Sequence, residues 1–254
     1  MRKTWILALS LALLLCLCPI LSLATEAIEI TSVRSNSDGT VTIAWNNPNG
    51  GPVTVGSRVM NDSDTGNKIL VEQNVTGSTY TFTDLAPGME YMVLVFPDLD
   101  LQYAGVELVT VPELPDYDGF RISVKDTNLT YFVMKGNNDY SYNYAHDLSN
   151  DRIYELLQEK QFWVRMNFNV SPRGQSVTLP TLVVVTAPNG YVLTDYSDME
   201  VKKNWQSYWR TMIYMNGAFE DLYEACGEIP AGRYTVRLYV DHGFVSESSF
   251  TIMQ

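Results

Sequence analysis

Residues 85–95 of the 254-residue chain read Leu-Ala-Pro-Gly-Met-Glu-Tyr-Met-Val-Leu-Val. Pro87 and Gly88 predict a tight turn, because proline restricts φ and glycine tolerates positive φ. The apolar and β-branched residues that follow predict a strand over residues 89–96. Residues 39–48 read Gly-Thr-Val-Thr-Ile-Ala-Trp-Asn-Asn-Pro, and their alternation of apolar with small or polar side chains predicts another strand.

The rest of this region continues the same pattern of short strands and turns. Further strands are predicted over residues 53–60, 69–75, 79–83 and 106–111. Turn signals every 8–12 residues or so are typical of a β-sandwich.

The two quoted stretches resemble the second strand, and the turn with the sixth strand, of a fibronectin type III domain. The resemblance covers roughly residues 27–112 and implies that Trp45 and Leu85 lie in the core. It also implies that Tyr91 forms a tyrosine corner, with its hydroxyl bonded to nearby backbone. An extracellular binding or spacer role follows from the resemblance, whereas a particular ligand does not.

A linker is predicted over residues 113–119, between domains at 25–112 and 120–254. Residues 112–119 contain two prolines and three acidic residues, which favour an extended chain. Beyond it, strands are predicted over residues 120–124, 130–134, 161–170, 182–186, 191–194, 205–215, 232–240 and 244–252.

Two short helices, over residues 151–160 and 218–226, interrupt these strands, and Gly227 is the expected stop of the second helix. Residues 229–236 resemble the Pro-Ala-Gly-x-Tyr turn of bacterial immunoglobulin-like sandwiches. The predicted fold is therefore mainly β, with two β-sandwich domains. The first is fibronectin type III-like, and the second is immunoglobulin-like with short helical insertions.

The first residues predict export. Arg2 and Lys3 precede an apolar run over residues 5–23, and the small residues Ser22 and Ala24 lie at its end, which is the order of a secretory signal peptide. We expect cleavage after residue 24 and a secreted or cell-surface protein. A membrane anchor is the alternative, since the apolar run is almost long enough to span a bilayer. No transmembrane segment is predicted in the mature chain.

The net charge of the chain bears on its partners, and its cysteine count bears on its disulfides. The chain carries 17 basic and 29 acidic side chains, a net charge of −12, and loss of Arg2 and Lys3 would make it about −14. Such a field repels polyanions, so nucleic acid is not an expected partner. Only Cys226 would remain in the mature chain, which excludes an intrachain disulfide. Its spacing from Phe219 and Leu222 predicts that it is buried.

Catalysis and cofactors are not predicted. The mature chain has two histidines, His146 and His242, and no Gly-x-Ser-x-Gly nucleophile motif. A zinc site lacks ligands at a suitable spacing. Calcium is left open at two oxygen-rich turns, residues 137–139 and the set Asp147, Asn150 and Asp151.

Aromatic residues are the best binding candidates. Tyr140, Tyr142 and Tyr144 recur at period two in a polar stretch. Over residues 205–215, strict alternation places Tyr208, Arg210, Met212 and Tyr214 on one face and Trp205, Trp209, Ile213 and Met215 on the other. The tyrosine face is either an exposed platform or a face covered by the second helix. A further candidate is the loop that carries Leu99, Leu101 and Tyr103.

Together these features predict a non-catalytic binding or adhesion protein that recognises an extracellular protein or glycan. The alternatives are a carbohydrate-binding accessory protein, a structural spacer of a surface assembly, and an extracellular hydrolase.

Overall fold

A computed structural model of the protein describes residues 25–60, 67–97, 100–134, 140–171 and 174–254. Residues 1–24 of the predicted signal peptide, Leu99 and the calcium candidate at residues 137–139 lie outside these ranges. The described chain is mainly β, as the sequence predicts.

The N-terminal half is a β-sandwich of two antiparallel sheets. Its strands are β1 (Glu29–Ser35), β2 (Val41–Asn46), β3 (Val53–Val59), β4 (Leu70–Val75), β5 (Thr79–Phe82), β6 (Glu90–Pro97) and β7 (Gly105–Thr110). One sheet has the order β1-β2-β5 and the other the order β4-β3-β6-β7. A short 3-10 helix, Leu101–Tyr103, lies between β6 and β7.

The turn quoted first in the sequence forms the corner of this sandwich. The Ala86 backbone N–H donates to the Tyr91 hydroxyl at 2.9 Å, within the buried core. Gly88 has φ 78°, which the turn requires and glycine tolerates. Trp45 and Leu85 are buried between the two sheets. The buried Trp45 and the tyrosine corner confirm what the resemblance to a fibronectin type III domain implies.

The C-terminal half is a second sandwich with two helices. Its elements are β8 (Arg121–Met134), β9 (Tyr140–Tyr144), α1 (Asn150–Leu156), β10 (Phe162–Ser171), β11 (Val177–Thr186), β12 (Val192–Val201), β13 (Ser207–Tyr214), α2 (Asn216–Cys226), β14 (Gly232–Val240) and β15 (Gly243–Ile252). One sheet has the order β13-β10-β8-β9 and the other β12-β11-β14-β15. Phe162, Phe168 and Tyr234 are fully buried between them.

Several local expectations differ from the structure. Strands β11 and β12 are each 10 residues long, whereas the sequence predicted strands only over residues 182–186 and 191–194. The two strands predicted over residues 120–134 are one long strand, β8, with a register shift opposite Asn167 and Phe168. The first helix ends at Leu156, earlier than predicted. Cys226 is exposed rather than buried, because it lies in the last turn of α2, beyond the buried side chains of Phe219 and Leu222.

Asn216 joins both helices to the sheet. Its side-chain oxygen accepts a hydrogen bond from the Phe162 backbone N–H at 2.7 Å. Its amide nitrogen donates to the backbone carbonyls of Leu157 at 3.0 Å and Lys160 at 2.8 Å. Gly227 then ends α2 with φ 77°, the left-handed conformation typical of a helix stop.

The two sandwiches share part of one core. Leu182 and Val184 of β11, and Tyr239 of β14, belong to the hydrophobic cluster of the N-terminal half. The connecting segment also contacts the second sandwich, since the Tyr117 N–H donates to the Phe244 carbonyl at 2.8 Å. The predicted linker is therefore extended but packed against β15.

Candidate functional site

Strand β10 has one face in the core of the C-terminal sandwich and the other face on the outer surface of the sheet. Phe162, Val164, Met166 and Phe168 are fully buried. Trp163 and Arg165, which alternate with them, are half-buried and lie on the opposite face of the sheet. The period of two over residues 162–168 makes this division readable from the sequence.

A β-bulge changes which face the residues of β13 occupy. Val164 pairs with Ile213 and Arg165 pairs with Thr211, so Met212 is the extra residue between two consecutive pairs. Tyr214 pairs with Trp163, and Trp209 pairs with Asn167. Both aromatic residues therefore lie on the outer face, and the predicted separation of Tyr214 from Trp209 is wrong.

The same bulge places Tyr208 and Arg210 on the inner side of β13. The ring of Tyr208 stacks on Phe168 with centroids 5.4 Å apart, and burial raises the pKa of its hydroxyl. Arg210 donates through Nη2 to the Asp198 carbonyl at 2.7 Å, which connects β13 with the facing sheet. These two candidates do not share a surface with Tyr214.

Strand β9 brings tyrosines to the outer face from the opposite edge of the sheet. Tyr142 pairs with Phe132 and Tyr144 pairs with Thr130. The rings of Tyr144 and Trp209 are 6.5 Å apart between centroids. Tyr140 belongs to the same strand by its backbone, and its side chain lies outside the description.

We call this surface the aromatic face; it consists of Tyr142, Tyr144, Trp163, Arg165, Trp209 and Tyr214. Tyr144 is 51% exposed, Tyr214 43% and Trp209 37%. Trp163 and Tyr214 contact each other with centroids 4.9 Å apart. The face thus exposes several rings that lie side by side.

Arg165 lies at the centre of the aromatic face. Its guanidinium carbon is 3.9 Å from the centroid of Tyr142 and 5.5 Å from that of Trp209, so both rings make cation–π contacts with it. Its Nε is buried without a hydrogen-bond partner. Within the described part of the chain, Arg165 makes no ion pair.

This arrangement suits recognition of a ligand with alternating apolar and polar surface. Exposed rings offer flat apolar area that can be desolvated at low cost in side-chain entropy. The register places Asn128 opposite Arg165, and Asn167 follows on the same strand face, so amide groups border the rings. Rings and polar groups together can orient a bound molecule.

The loop candidate of the N-terminal sandwich lies on a different surface. Leu101 is 53% exposed, and the Asp100 side chain caps the 3-10 helix by accepting from the Gln102 N–H. The Tyr103 carbonyl accepts a hydrogen bond from the Ile28 N–H at 2.9 Å, which ties the loop to the start of the chain.

An apolar row, which no sequence motif indicated, crosses the outer face of the β4-β3-β6-β7 sheet in the N-terminal sandwich. Val106 of β7, Leu94 of β6, Gly56 of β3 and Val71 of β4 lie opposite one another in register. Val106 and Val71 are exposed, and Leu108 extends the row along β7. The N-terminal sandwich therefore offers an apolar surface of its own.

The described residues assemble no metal centre. No group of three histidine, cysteine or acidic side chains converges among them. Asn150 is used structurally, because it donates to the Ile229 carbonyl at 3.1 Å. His146 lies 3.2 Å from Asp147 on the surface, and His242 Nδ1 lies 3.0 Å from the Asp38 carbonyl. The absence of a cofactor, with calcium left open, stays a prediction.

In residues 25–254, apart from the gaps given above, no helix has the length and apolar character needed to cross a membrane.

Sequence reasoning missed Trp163, Arg165 and Trp209 as members of one surface. The alternation over β10 places Trp163 and Arg165 on one face, opposite Phe162 and Val164, which is a usable signal. Strict alternation places Trp209 on the face opposite Tyr214, because no residue in β13 indicates that a bulge forms at Met212.

Comparison with known proteins adds little to this geometry. No family model and no curated protein matches the chain. A two-domain fibronectin type III segment of chicken tenascin is 9% identical, with 90% of this chain and 100% of that chain covered, at a TM-score of 0.28. The FN1-FN3 domains of chicken CNTN1 are 11% identical, with coverages of 91% and 69%, at a TM-score of 0.25. Since the TM-scores are this low, the assignment of the N-terminal sandwich rests on its strand order and its tyrosine corner.

Proposed function

We propose that the protein is a non-catalytic extracellular binding protein that recognises a glycan through the aromatic face. The observation that carries this proposal is the exposure of Tyr144, Trp209 and Tyr214 on one face of one sheet. A sugar ring presents C–H surface to an aromatic ring and hydroxyl groups to its polar neighbours. The rings and amides of this face match both features.

The proposal includes export. The charged, apolar and small residues of positions 1–24 support cleavage before Thr25. N-terminal sequencing of the secreted protein tests this step, and a membrane-bound product that retains residues 1–24 would contradict it.

A glycan array with matched tyrosine variants tests the binding function. Tyr214→Ala removes an exposed ring of the aromatic face, whereas Tyr196→Ala removes a ring of similar exposure (40%) from the other sheet. We expect Tyr214→Ala and Trp209→Ala each to weaken glycan binding roughly five- to tenfold, since an aromatic contact contributes on the order of 1 kcal/mol. Tyr196→Ala is expected to bind like the wild type.

Two results would contradict the proposal. Binding that survives the double variant Trp209→Ala/Tyr214→Ala would place the ligand elsewhere. Release of new reducing ends from a bound glycan, abolished by one acidic substitution, would show a hydrolase instead.

A second candidate function, adhesion to a protein, is favoured by the apolar row of the N-terminal sandwich. Val71, Val106 and Leu108 are all exposed on that face. An exposed apolar patch of this kind suits the dry centre of a protein interface. A screen against extracellular proteins separates the two functions. Binding abolished by Leu108→Asp and kept by Trp209→Ala/Tyr214→Ala would assign adhesion to the N-terminal sandwich.

A further inference from the structure

The positive charge of Arg165 has no counter-charge in the described part of the protein. Lys68, Arg152 and Arg237 each lie between 2.6 and 3.8 Å from a carboxylate. The side chain of Arg165 has neither an ion pair nor a hydrogen bond with the described residues, although the chain carries 29 acidic side chains. Arg58 and Arg210 are also half-buried without an ion pair among the described residues, so what distinguishes Arg165 is the pair of aromatic rings in contact with its guanidinium.

The two rings orient this cation without neutralising it. Tyr142 and Trp209 both contact the guanidinium, at 3.9 and 5.5 Å from their centroids. Nε is the only guanidinium nitrogen that is both buried and without a partner. The two Nη groups have no hydrogen-bond partner among the described residues and are not among the buried atoms, so they are open to solvent and to a ligand.

An arginine in this setting is suited to an oxyanion. A guanidinium presents parallel N–H donors whose spacing matches the two oxygens of a carboxylate. The neighbouring rings lower the local dielectric, which strengthens a charge pair formed there. A neutral ligand would leave the charge unpaired and would partly remove its water, at a cost in free energy.

We propose that the glycan recognised by the aromatic face is acidic, and that Arg165 pairs with a sugar carboxylate while adjacent rings stack on sugar faces. This inference rests on the proposed function, because it names the ligand class of the same surface. A sugar fits better than an acidic peptide, since Tyr144, Trp209 and Tyr214 offer several exposed ring faces around one cation. A uronic acid and a sialic acid share the required carboxylate.

Calorimetric titration with paired sugars tests the inference. Oligogalacturonate and sialyllactose are each compared with their own methyl ester, so that each pair differs only in the charged carboxylate and the two pairs distinguish the two sources. The chain contains the glycosylation sequons Asn128-Leu129-Thr130 and Asn169-Val170-Ser171 in this sheet. The protein is therefore the full mature chain made in a bacterial host, so that neither asparagine carries a glycan. The variants are Arg165→Gln and Arg165→Lys, with Arg34→Gln as the control, because Arg34 is exposed on β1 of the other sandwich.

We expect at least one acid form to bind about tenfold or more tightly than its neutral counterpart, which is the usual effect of one charge-assisted pair. Arg165→Gln is expected to abolish this preference, and Arg34→Gln to keep it. Arg165→Lys, which keeps the charge, is expected to retain part of the preference. Thermal unfolding shows whether each variant is folded. If Arg165→Gln is not folded, the test rests on Arg165→Lys, whose preference for the acid form should be smaller than that of the wild type.

Equal affinity of the wild type for acid and neutral forms would overturn the acidic-glycan inference and leave the proposed function intact. Failure of both acid forms to bind would also overturn it. If poly-glutamate binds in an Arg165-dependent manner and the acidic sugars do not, the inference is overturned in favour of an acidic protein partner. The proposed function itself fails by a different result, namely glycan binding that is unaffected by Trp209→Ala/Tyr214→Ala.

Discussion

Tyr144 and Trp209 lie on the two opposite edge strands of one four-stranded sheet, and their ring centroids are nevertheless 6.5 Å apart, with the ring planes at 64°. Strands β8 and β10 separate β9 from β13, so both side chains extend across the face of the sheet. Arg165 of the central strand β10 contacts Trp209 from the same side. The aromatic residues of the two edges therefore form one continuous surface.

The first prediction compares a buried with an exposed tryptophan. Trp45 is 3% exposed between two sheets, whereas Trp209 is 37% exposed. We expect Trp45→Ala to lower the free energy of unfolding by about 3–5 kcal/mol, through lost burial and a residual cavity. Trp209→Ala is the matched control and should cost far less. Chemical denaturation of both full-length variants measures the difference, and similar losses would contradict this account of the core.

The second prediction concerns the tyrosine corner. Tyr91→Phe removes the acceptor of the Ala86 N–H, which then remains buried without a partner. We expect the free energy of unfolding to fall by about 1–3 kcal/mol. Tyr80→Phe is the control, because Tyr80 is half-buried and its hydroxyl makes no hydrogen bond with the described residues. Urea unfolding checks both, and an unchanged midpoint for Tyr91→Phe would count against the corner.

The third prediction concerns pH. Asp84 is half-buried in the small cavity between the two sandwiches, and burial raises the pKa of its carboxyl above the usual 3.8. A carboxyl with a raised pKa in the folded state stabilises the fold only while it is protonated. Its contribution is lost as pH rises from the unfolded pKa through the folded pKa.

Asp84→Asn is therefore expected to be more stable than the wild type at neutral pH, and the gain should vanish at pH values below 3.8. Thermal unfolding at a series of pH values measures this, with the exposed Asp118→Asn as the control. A gain that does not depend on pH would argue for a packing effect instead of a charge effect.

The fourth prediction concerns the shared core. Val184 is 2% exposed and belongs to the hydrophobic cluster of the N-terminal sandwich, although it lies on β11. Val184→Asp buries a charge at this interface, which costs several kcal/mol unless the sandwiches separate. We expect calorimetry to show an earlier, separate unfolding transition of the N-terminal half. Thr251→Asp, at an exposed position of the same sheet, should leave the wild-type profile.

Local signals in the sequence were sufficient for most of the elements. The Pro87-Gly88 turn and the alternation before Trp45 depend on backbone preferences of neighbouring residues, so they were readable without the fold. The stop of α2 at Gly227 was readable for the same reason. Cys226 was not, because its exposure depends on where the helix ends relative to the sheet.

The run Leu182-Val183-Val184-Val185 carried a signal that we interpreted only as a strand. All four side chains are buried, because alternate residues face two different cores. A continuous apolar run is typical of a strand buried on both faces. The run itself does not indicate that one face of this strand packs against the N-terminal sandwich.

The sequence by itself determined a mainly β chain with a fibronectin type III-like first sandwich, because turn residues and period-two alternation act over a few neighbouring positions. Only the tertiary structure decided the membership of the aromatic face. The bulge at Met212 shifts Tyr214 onto the face of Trp209, and such a shift arises from how β13 pairs with β10 rather than from a residue in β13. The contact between Tyr144 and Trp209 joins positions 65 residues apart in the chain, so it depends on the order of strands in the folded sheet.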